Sequence, residues 1–379
     1  ADPIAYHTYS SYILPLFAAM REKCFLNILS LISVLLPLVC SGMSEEKIRL
    51  IIDTDGVADD ISAISLALQQ PNVEVLAFTA VHGCVNVDQA AANIARTQRA
   101  NRLNHSIPIF RGASLSLVKG REPDESFLFG KDGIGDQPNA EPPVEPSDLA
   151  SPYASKEAAA LALIRLTRDN SDVVLVCIGP LTNIALAIRL DDNFVRQPKR
   201  LVLMGGNYFG VGNVHARSSG EYNFFSDPEA AAVVLAEMEV PITIVPWETI
   251  YLHRQEYAEE ADTEAHLHVG TPLSNYLNVV SSTARAHLMK TGRKYTYCDE
   301  IAVAAAFAES DLTLESKELQ VSVELKGEMT RGQVVPDWTR GKLWEGDSDA
   351  PRKRRPVTFI TKYNVTFLAG LMNKAVRNT

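Results

Sequence analysis

A chain of 379 residues, 46% hydrophobic and 22% charged, can bury a large core, which excludes a disordered or low-complexity protein. Its formal net charge of −10 argues against a nucleic-acid-binding surface. Five widely spaced cysteines make neither a disulfide framework nor a zinc site.

In chain order, the first feature is the apolar stretch FLNILSLISVLLPLV at 25–39, with Arg21 and Lys23 before it and Ser41 and Gly42 after it. That is the layout of a secretory signal peptide beginning near Met20. The stretch is short for a membrane span and Pro37 interrupts it, so an uncleaved anchor is the alternative. Residues 1–42 are read as leader and 43–379 as one domain, with secretion expected. The sequons Asn104-His-Ser and Asn364-Val-Thr fit an exported protein.

From residue 47 onward, β-rich apolar runs alternate with helical patterns. Strands are expected at 47–53, 73–81, 107–110, 173–178, 200–204 and 242–245. Helices are expected at 59–69, 88–103, 155–167, 181–190 and 227–236. This order predicts an α/β fold, with a doubly wound, mainly parallel central sheet and helices on both faces, a Rossmann-like open arrangement. The run VVLVCI at 173–178 is continuously apolar, as expected of a strand covered on both faces. Further on come a helical region at about 254–290, a helix from Asp299, a strand near 319–325 and a C-terminal helix after Thr361. The basic run at 352–355 reads as a solvated loop. Two long stretches, 112–154 and 205–226, break the rhythm, and such loops are often functional.

In an open parallel sheet, ligands bind beyond the carboxyl ends of the strands. Four segments are expected to meet there: the stretch IIDTDGVADD at 51–60, His82-Gly-Cys84, the turn at 178–183 and the loop at 205–226. The first holds Asp53, Asp55, Asp59 and Asp60. Helix capping accounts for one or two of these, but not for four beside a buried strand, where unpaired carboxylates are costly. A hard divalent cation resolves the conflict.

IIDTDGVADDISAISLAL strongly resembles the opening motif of the inosine–uridine-preferring nucleoside hydrolases, calcium-dependent N-ribohydrolases. The resemblance continues through TAVHGCVNVDQAAAN at 79–93, FGKDGIGD at 129–136, IGPLTNIALA at 178–187, LMGGN at 203–207, EYNFFSDPEAA at 221–231 and CDEIAVAAA at 298–306. It implies calcium held by Asp55, Asp60, Asp299 and the carbonyl of Ile178, with Asp53 behind them. It further implies that Asp59 activates a calcium-bound water as general base. Asn213, Glu221 and Asn223 are implied to bind ribose hydroxyls, with Met204 against the sugar. The family's members are commonly dimers or tetramers, so a homo-oligomer is implied too.

Each supporting residue also has a plainer reading. Glu221 and Asn223 could serve only the backbone of their loop, and Asp299 could merely cap its helix. The chain departs from well-known members at Cys84, Phe129 and Cys298, where Asn, His and His are common. Cys298 is then the candidate proton donor to the leaving base, although a thiol suits that task only when its pKa is matched to it. Without an evident histidine, purine nucleosides such as inosine are the favoured substrates. Aromatic residues could grip the base by stacking, with Phe129, Tyr208, Trp247, Tyr295 and Tyr297 as candidates. Cys84 and Cys298 are read as two packed thiols, with a disulfide as the alternative. Two rival functions stay open: a secreted nucleoside-binding protein without turnover, and a haloacid-dehalogenase-type phosphatase using Asp53 and Asp55.

Overall fold

The computed structural model describes residues 47–118, 127–150, 152–214, 218–339 and 355–378. The leader and most of the basic run at 352–355 lie outside the described residues. Six strands follow the predicted rhythm: β1 (Ile48–Thr54), β2 (Val73–Ala80), β3 (Ile109–Arg111), β4 (Val174–Cys177), β5 (Arg200–Met204) and β6 (Ile242–Val245). Between them run α1 (Ala58–Leu68), α2 (Val87–Ala100), α3 (Pro146–Ala150), α4 (Ala159–Asp169), α5 (Thr182–Leu190), α6 (Tyr222–Ser226) and α7 (Pro228–Glu237). The expected helical region after β6 divides into α8 (Trp247–Tyr251), α9 (Arg254–Glu260), α10 (Pro272–Val280) and α11 (Ser282–Lys290). Then come α12 (Asp299–Leu312), β7 (Thr313–Val323), β8 (Val334–Asp337), β9 (Val357–Tyr363) and α13 (Val365–Arg377).

Two strands were not expected, β8 and β9, and β7 begins six residues earlier than expected. Five of the seven β9 residues are buried. Their signal is short and follows a basic run and Pro356, which read as loop. Asn364 ends that strand and starts α13, its side chain accepting a hydrogen bond from Phe367 N at 2.9 Å.

Among the described residues the nine strands form one sheet in the order β3-β2-β1-β4-β5-β6-β9-β7-β8. The pairs from β3 to β9 are parallel, while β7 runs antiparallel to both β9 and β8. Alternate residues of each strand feed opposite faces. Val174 and Val176 of β4 join the cluster with α1, α2, α10, α12 and α13. Leu175 and Cys177 join the cluster with α4, α5 and α7. Helices on both faces thus account for the uninterrupted apolar strands.

The chain leaves the centre at β1, runs out to β3, and returns to β4 on the other side of β1. That reversal opens a crevice at the carboxyl ends of β1 and β4. Asp53 lies in register there with Thr79 of β2 and Cys177 of β4.

Candidate active site

At this crevice lies a cavity of about 810 Å³. Asp55, Asp59 and Asp60 reach it from the end of β1 and the first turn of α1. Ile178 enters from the end of β4, Met204 from β5, and Cys298 and Asp299 from the start of α12. Asn213, Glu221 and Asn223 come from the loop after β5. Cys84 and Phe129 complete the set, so of the residues expected to hold metal, water, sugar or leaving base, the base-stacking aromatic candidates aside, all line the cavity except Asp53.

Asp53 lies behind, fully buried. Its Oδ2 accepts hydrogen bonds from Thr79 Oγ1 at 2.6 Å and Asn183 Nδ2 at 2.8 Å, while its Oδ1 is buried without a partner. Asp55 Oδ2 accepts from Cys84 N at 2.7 Å. Asp60 accepts from the Thr54 hydroxyl and, at 3.3 Å, from Val57 N. Asp59 keeps a buried Oδ1 without a partner. One oxygen each of Asp59 and Asp299 and the sulfur of Cys298 lie within 4.8 Å of one another.

Burial pushes the carboxyls of Asp53 and Asp59 up to about 7, and Glu300 and Asp55 add to the effect at Asp59. Burial, then neighbouring aspartates, raises Asp60 and Asp299 well above the ordinary range, and burial raises Asp55. Among the described residues no lysine, arginine or histidine forms an ion pair with any of these five. So many ionisable oxygens, some without any hydrogen bond, suit a hard divalent cation, whose charge would reverse the effect of burial. Asp55, Asp60, Ile178 and Asp299 all line the cavity, and the three carboxylates are oxygen donors of the kind such a cation takes.

The opposite wall is pinned from outside the cavity. Glu221 caps α6 by accepting from Asn223 N at 3.0 Å and Phe224 N at 3.2 Å, and it also accepts from Gly206 N at 2.8 Å. Burial pushes its carboxyl up to about 7. Asn223 Nδ2 donates to the carbonyls of Ile178 and Met204, both at 3.1 Å. The plainer reading therefore holds alongside the functional one, since both side chains serve the backbone and both line the cavity. Asn213 Oδ1 accepts from Tyr222 N at 2.7 Å. Asp299 is the first residue of α12, and among the described residues no side-chain cap hydrogen bond is made by the residue before it.

Of the aromatic candidates, Phe129, Trp247 and Tyr295 line the cavity. Tyr208 and Tyr297 do not. Tyr208 packs on Phe209 and Phe359, and Tyr297 is fully buried against His266 and Tyr295. Cys84 and Cys298 are both free thiols. Burial, then nearby carboxylates, raises each thiol well above its ordinary range.

Sequence reasoning missed several contributors. Tyr222 lines the cavity, as Cys84 does. Buried Glu248 accepts from Tyr208 N, Phe209 N and Val211 N at 2.8–3.1 Å, fixing the loop that presents Asn213. Buried Asn93 donates to the carbonyls of Gly56 and Asp132, tying the first motif to the loop that carries Phe129. Asn93 and Asn183 both fall inside quoted motifs, and for Asn183 an amide in the mainly apolar helix TNIALAIRL was the available signal.

A doubly wound sheet whose crevice ends in buried carboxylates, faced by amide and carboxylate groups that suit hydroxyls, defines an α/β protein with an acidic, metal-type pocket. More narrowly, the chain belongs to the inosine-uridine preferring nucleoside hydrolase family, whose profile matches residues 50–368. It is similar to the inosine-uridine preferring nucleoside hydrolase of Leishmania major, at 31% identity over 292 residues, 76% of this chain and 88% of that one. With Uridine nucleosidase 1 of Arabidopsis thaliana it shares 35% identity over 197 residues, 52% of this chain and 55% of the relative. This chain thus spans about half the length of that plant relative. A solved inosine-guanosine nucleoside hydrolase superimposes with a TM-score of 0.74 at 31% identity, covering 87% of this chain and 98% of the other.

Proposed function

We propose that this protein hydrolyses the N-glycosidic bond of ribonucleosides to free base and ribose, with purine nucleosides such as inosine preferred and calcium as the bound cation. The observation that carries the reading is the meeting, in one cavity, of the acidic floor with Asn213, Glu221 and Asn223. Asp55, Asp60, Asp299 and the Ile178 carbonyl would hold the calcium, which when bound would supply Lewis acidity and an anchor for vicinal hydroxyls.

The chain's own groups do the rest. Asp59, with an oxygen that has no protein partner, takes the proton of the water that attacks C1′. Carboxylate and amide groups at 213, 221 and 223 accept from and donate to ribose hydroxyls, contacts that strengthen as the ring gains oxocarbenium character. Asp53 holds the end of β1 through Thr79 and Asn183 and so keeps Asp55 in place. Walls formed by Phe129, Trp247 and Tyr295 suit a flat bicyclic base. The named relatives include uridine, inosine-uridine and inosine-guanosine enzymes, so the purine preference rests on these walls.

The phosphatase reading needs Asp53 as nucleophile, and Asp53 stands behind the cavity with one oxygen doubly hydrogen-bonded. Export through the leader and homo-oligomerisation belong to the same proposal. The test is incubation with inosine, adenosine, guanosine, uridine and cytidine, with and without a chelator. Expected is release of base and ribose, inosine fastest among the five, abolished by chelator and by Asp59→Ala. Binding without release would establish the non-catalytic alternative, and ribose 1-phosphate formed only with added phosphate would mean a phosphorylase.

A further inference from the structure

Four of the five residues from Tyr295 to Asp299 line the cavity, Tyr295 and Thr296 before Tyr297, Cys298 and Asp299 after it. Tyr297 itself is fully buried. This short entry to α12 thus carries one of the cavity's aromatic side chains at one end and an expected cation ligand at the other. No side-chain hydrogen bond from Cys298 caps the helix. The tie comes instead from the next residue along, Glu300, which is fully buried and does not line the cavity. Its Oε1 accepts from the Tyr295 hydroxyl at 2.5 Å, and its Oε2 accepts from Cys298 N at 2.8 Å. The Tyr295 carbonyl is held as well, accepting from Thr263 Oγ1 at 2.7 Å. An acidic residue in the first turn of a helix is ordinarily favourable, and an exposed one there needs no other account. A fully buried carboxylate is costly, and this one spends both oxygens on the segment that lines the cavity.

We propose that Glu300 is a positioning residue, whose two hydrogen bonds set Asp299 for the cation and Tyr295 for the base. The inference rests on the reading above, in which Asp299 holds calcium and Tyr295 meets the leaving base. The Cys298 amide lies one residue before Asp299, so pinning it fixes the backbone from which the Asp299 side chain springs. A carboxylate held from behind in this way binds a metal ion better than one free to turn. The other oxygen of Glu300 holds the Tyr295 ring by its hydroxyl, so the two ends of the segment share one anchor. The role asks for hydrogen-bonding groups at two places and not for negative charge. Glutamine supplies them: its carbonyl oxygen accepts from Cys298 N, and its amide N–H donates to the phenol oxygen of Tyr295. Alanine supplies neither.

The experiment titrates calcium by calorimetry into chelator-treated protein and measures inosine kinetics on the metal-loaded protein, for Glu300→Ala, Glu300→Gln, Tyr295→Phe and Leu312→Ala. In Glu300→Ala, calcium affinity is expected to fall about tenfold or more, the loss that follows when a group orienting a ligand is removed, and KM for inosine to rise. Glu300→Gln recovers both to within about threefold. Tyr295→Phe keeps the tie to Cys298, so calcium affinity stays within about twofold while KM for inosine rises. Leu312→Ala opens a hole at the far, fully buried end of α12, lowering the melting temperature and leaving calcium affinity alone. Glu300→Met, which fills the space without an acceptor, is expected to match Glu300→Ala and stands in for it if alanine prevents folding. Equal calcium affinity in the unsubstituted protein and Glu300→Ala would overturn the inference. So would an equal loss in Leu312→Ala, which would mean general loosening of the helix. Glu300→Gln as weak as Glu300→Ala would overturn it too, because charge and not hydrogen bonding would then be acting. These three outcomes leave the nucleosidase reading intact. No calcium bound by the unsubstituted protein would overturn the reading of the floor and this inference with it.

Discussion

Asp53 and Asp59 are six positions apart and hold opposite relations to the cavity. Both are pushed up to about 7 by burial. Asp53 spends one oxygen on Thr79 and Asn183, whereas Asp59 leaves a buried oxygen without a protein partner beside the substrate space. That difference predicts a difference in variants. Asp59→Asn keeps shape and loses basicity, so kcat falls by about a thousandfold with little change in KM. Cys298 stands at the other pole of the question. Its sulfur is within 4.8 Å of one carboxylate oxygen each of Asp59 and Asp299, beside the proposed base catalyst. Cys298→Ala is expected to keep inosine turnover within about threefold, and a loss beyond a hundredfold would reinstate the thiol as proton donor. The aspartates were legible in the sequence because four carboxylates behind an apolar strand conflict with simple burial. The basic side chains that line the cavity, Arg254, His287, Arg293 and Lys294, were not, because they belong to no spaced motif and come from α9, α11 and the following loop.

The elements that present these residues are held by groups that touch no substrate. The turn after β2 wraps the Asp55 carboxylate so closely that a Cβ added at Gly83 would stand 2.1 Å from Asp55 Oδ2. Gly83→Ala therefore displaces the Asp55 carboxylate, the proposed cation ligand, without touching the core. Calcium titration by calorimetry is expected to show a 10–100-fold weaker affinity with an unchanged circular dichroism spectrum, and an unchanged affinity would show that the turn gives way instead. On the other wall, Glu248→Gln would set an amide N–H against a backbone N–H, either at Tyr208 or at Phe209 and Val211. That leaves a buried donor unmet and costs about 1–3 kcal/mol in denaturant unfolding. KM for inosine rises more than kcat falls, since the loop carrying Asn213 is loosened. At this scale the α/β rhythm from β1 to β6 was readable because strand and helix periods alternate without interruption. The edge formed by β7, β8 and β9 was read only in part. β8 is four residues long and β9 is announced by a proline and a run of charge.

At the scale of the molecule, the proposed export has a consequence that the fold makes asymmetric. Asn104 and Ser106 of the first sequon are exposed in the connection between α2 and β3, and none of the residues from 101 to 106 lines the active-site cavity. Asn364 of the second sequon is half-buried, and its carboxamide oxygen already accepts from Phe367 N at the start of α13. Asn104 is the exposed acceptor, whereas Asn364 is half-buried with its side chain engaged in the α13 cap, so Asn104 is the expected glycan site. Protein secreted from a eukaryotic host should carry one glycan, removable by an amidase and abolished by Asn104→Gln. Asn364→Gln should leave that mass intact and instead lower stability by about 1 kcal/mol through the weakened cap. A glycan lost in the Asn364 variant and kept in the Asn104 variant would reverse the assignment. Unmodified protein recovered from the medium would show that an exposed sequon in this loop is passed over. A glycan at Asn104 would report entry of the chain into the secretory route, whether or not the stretch at 25–39 is later removed.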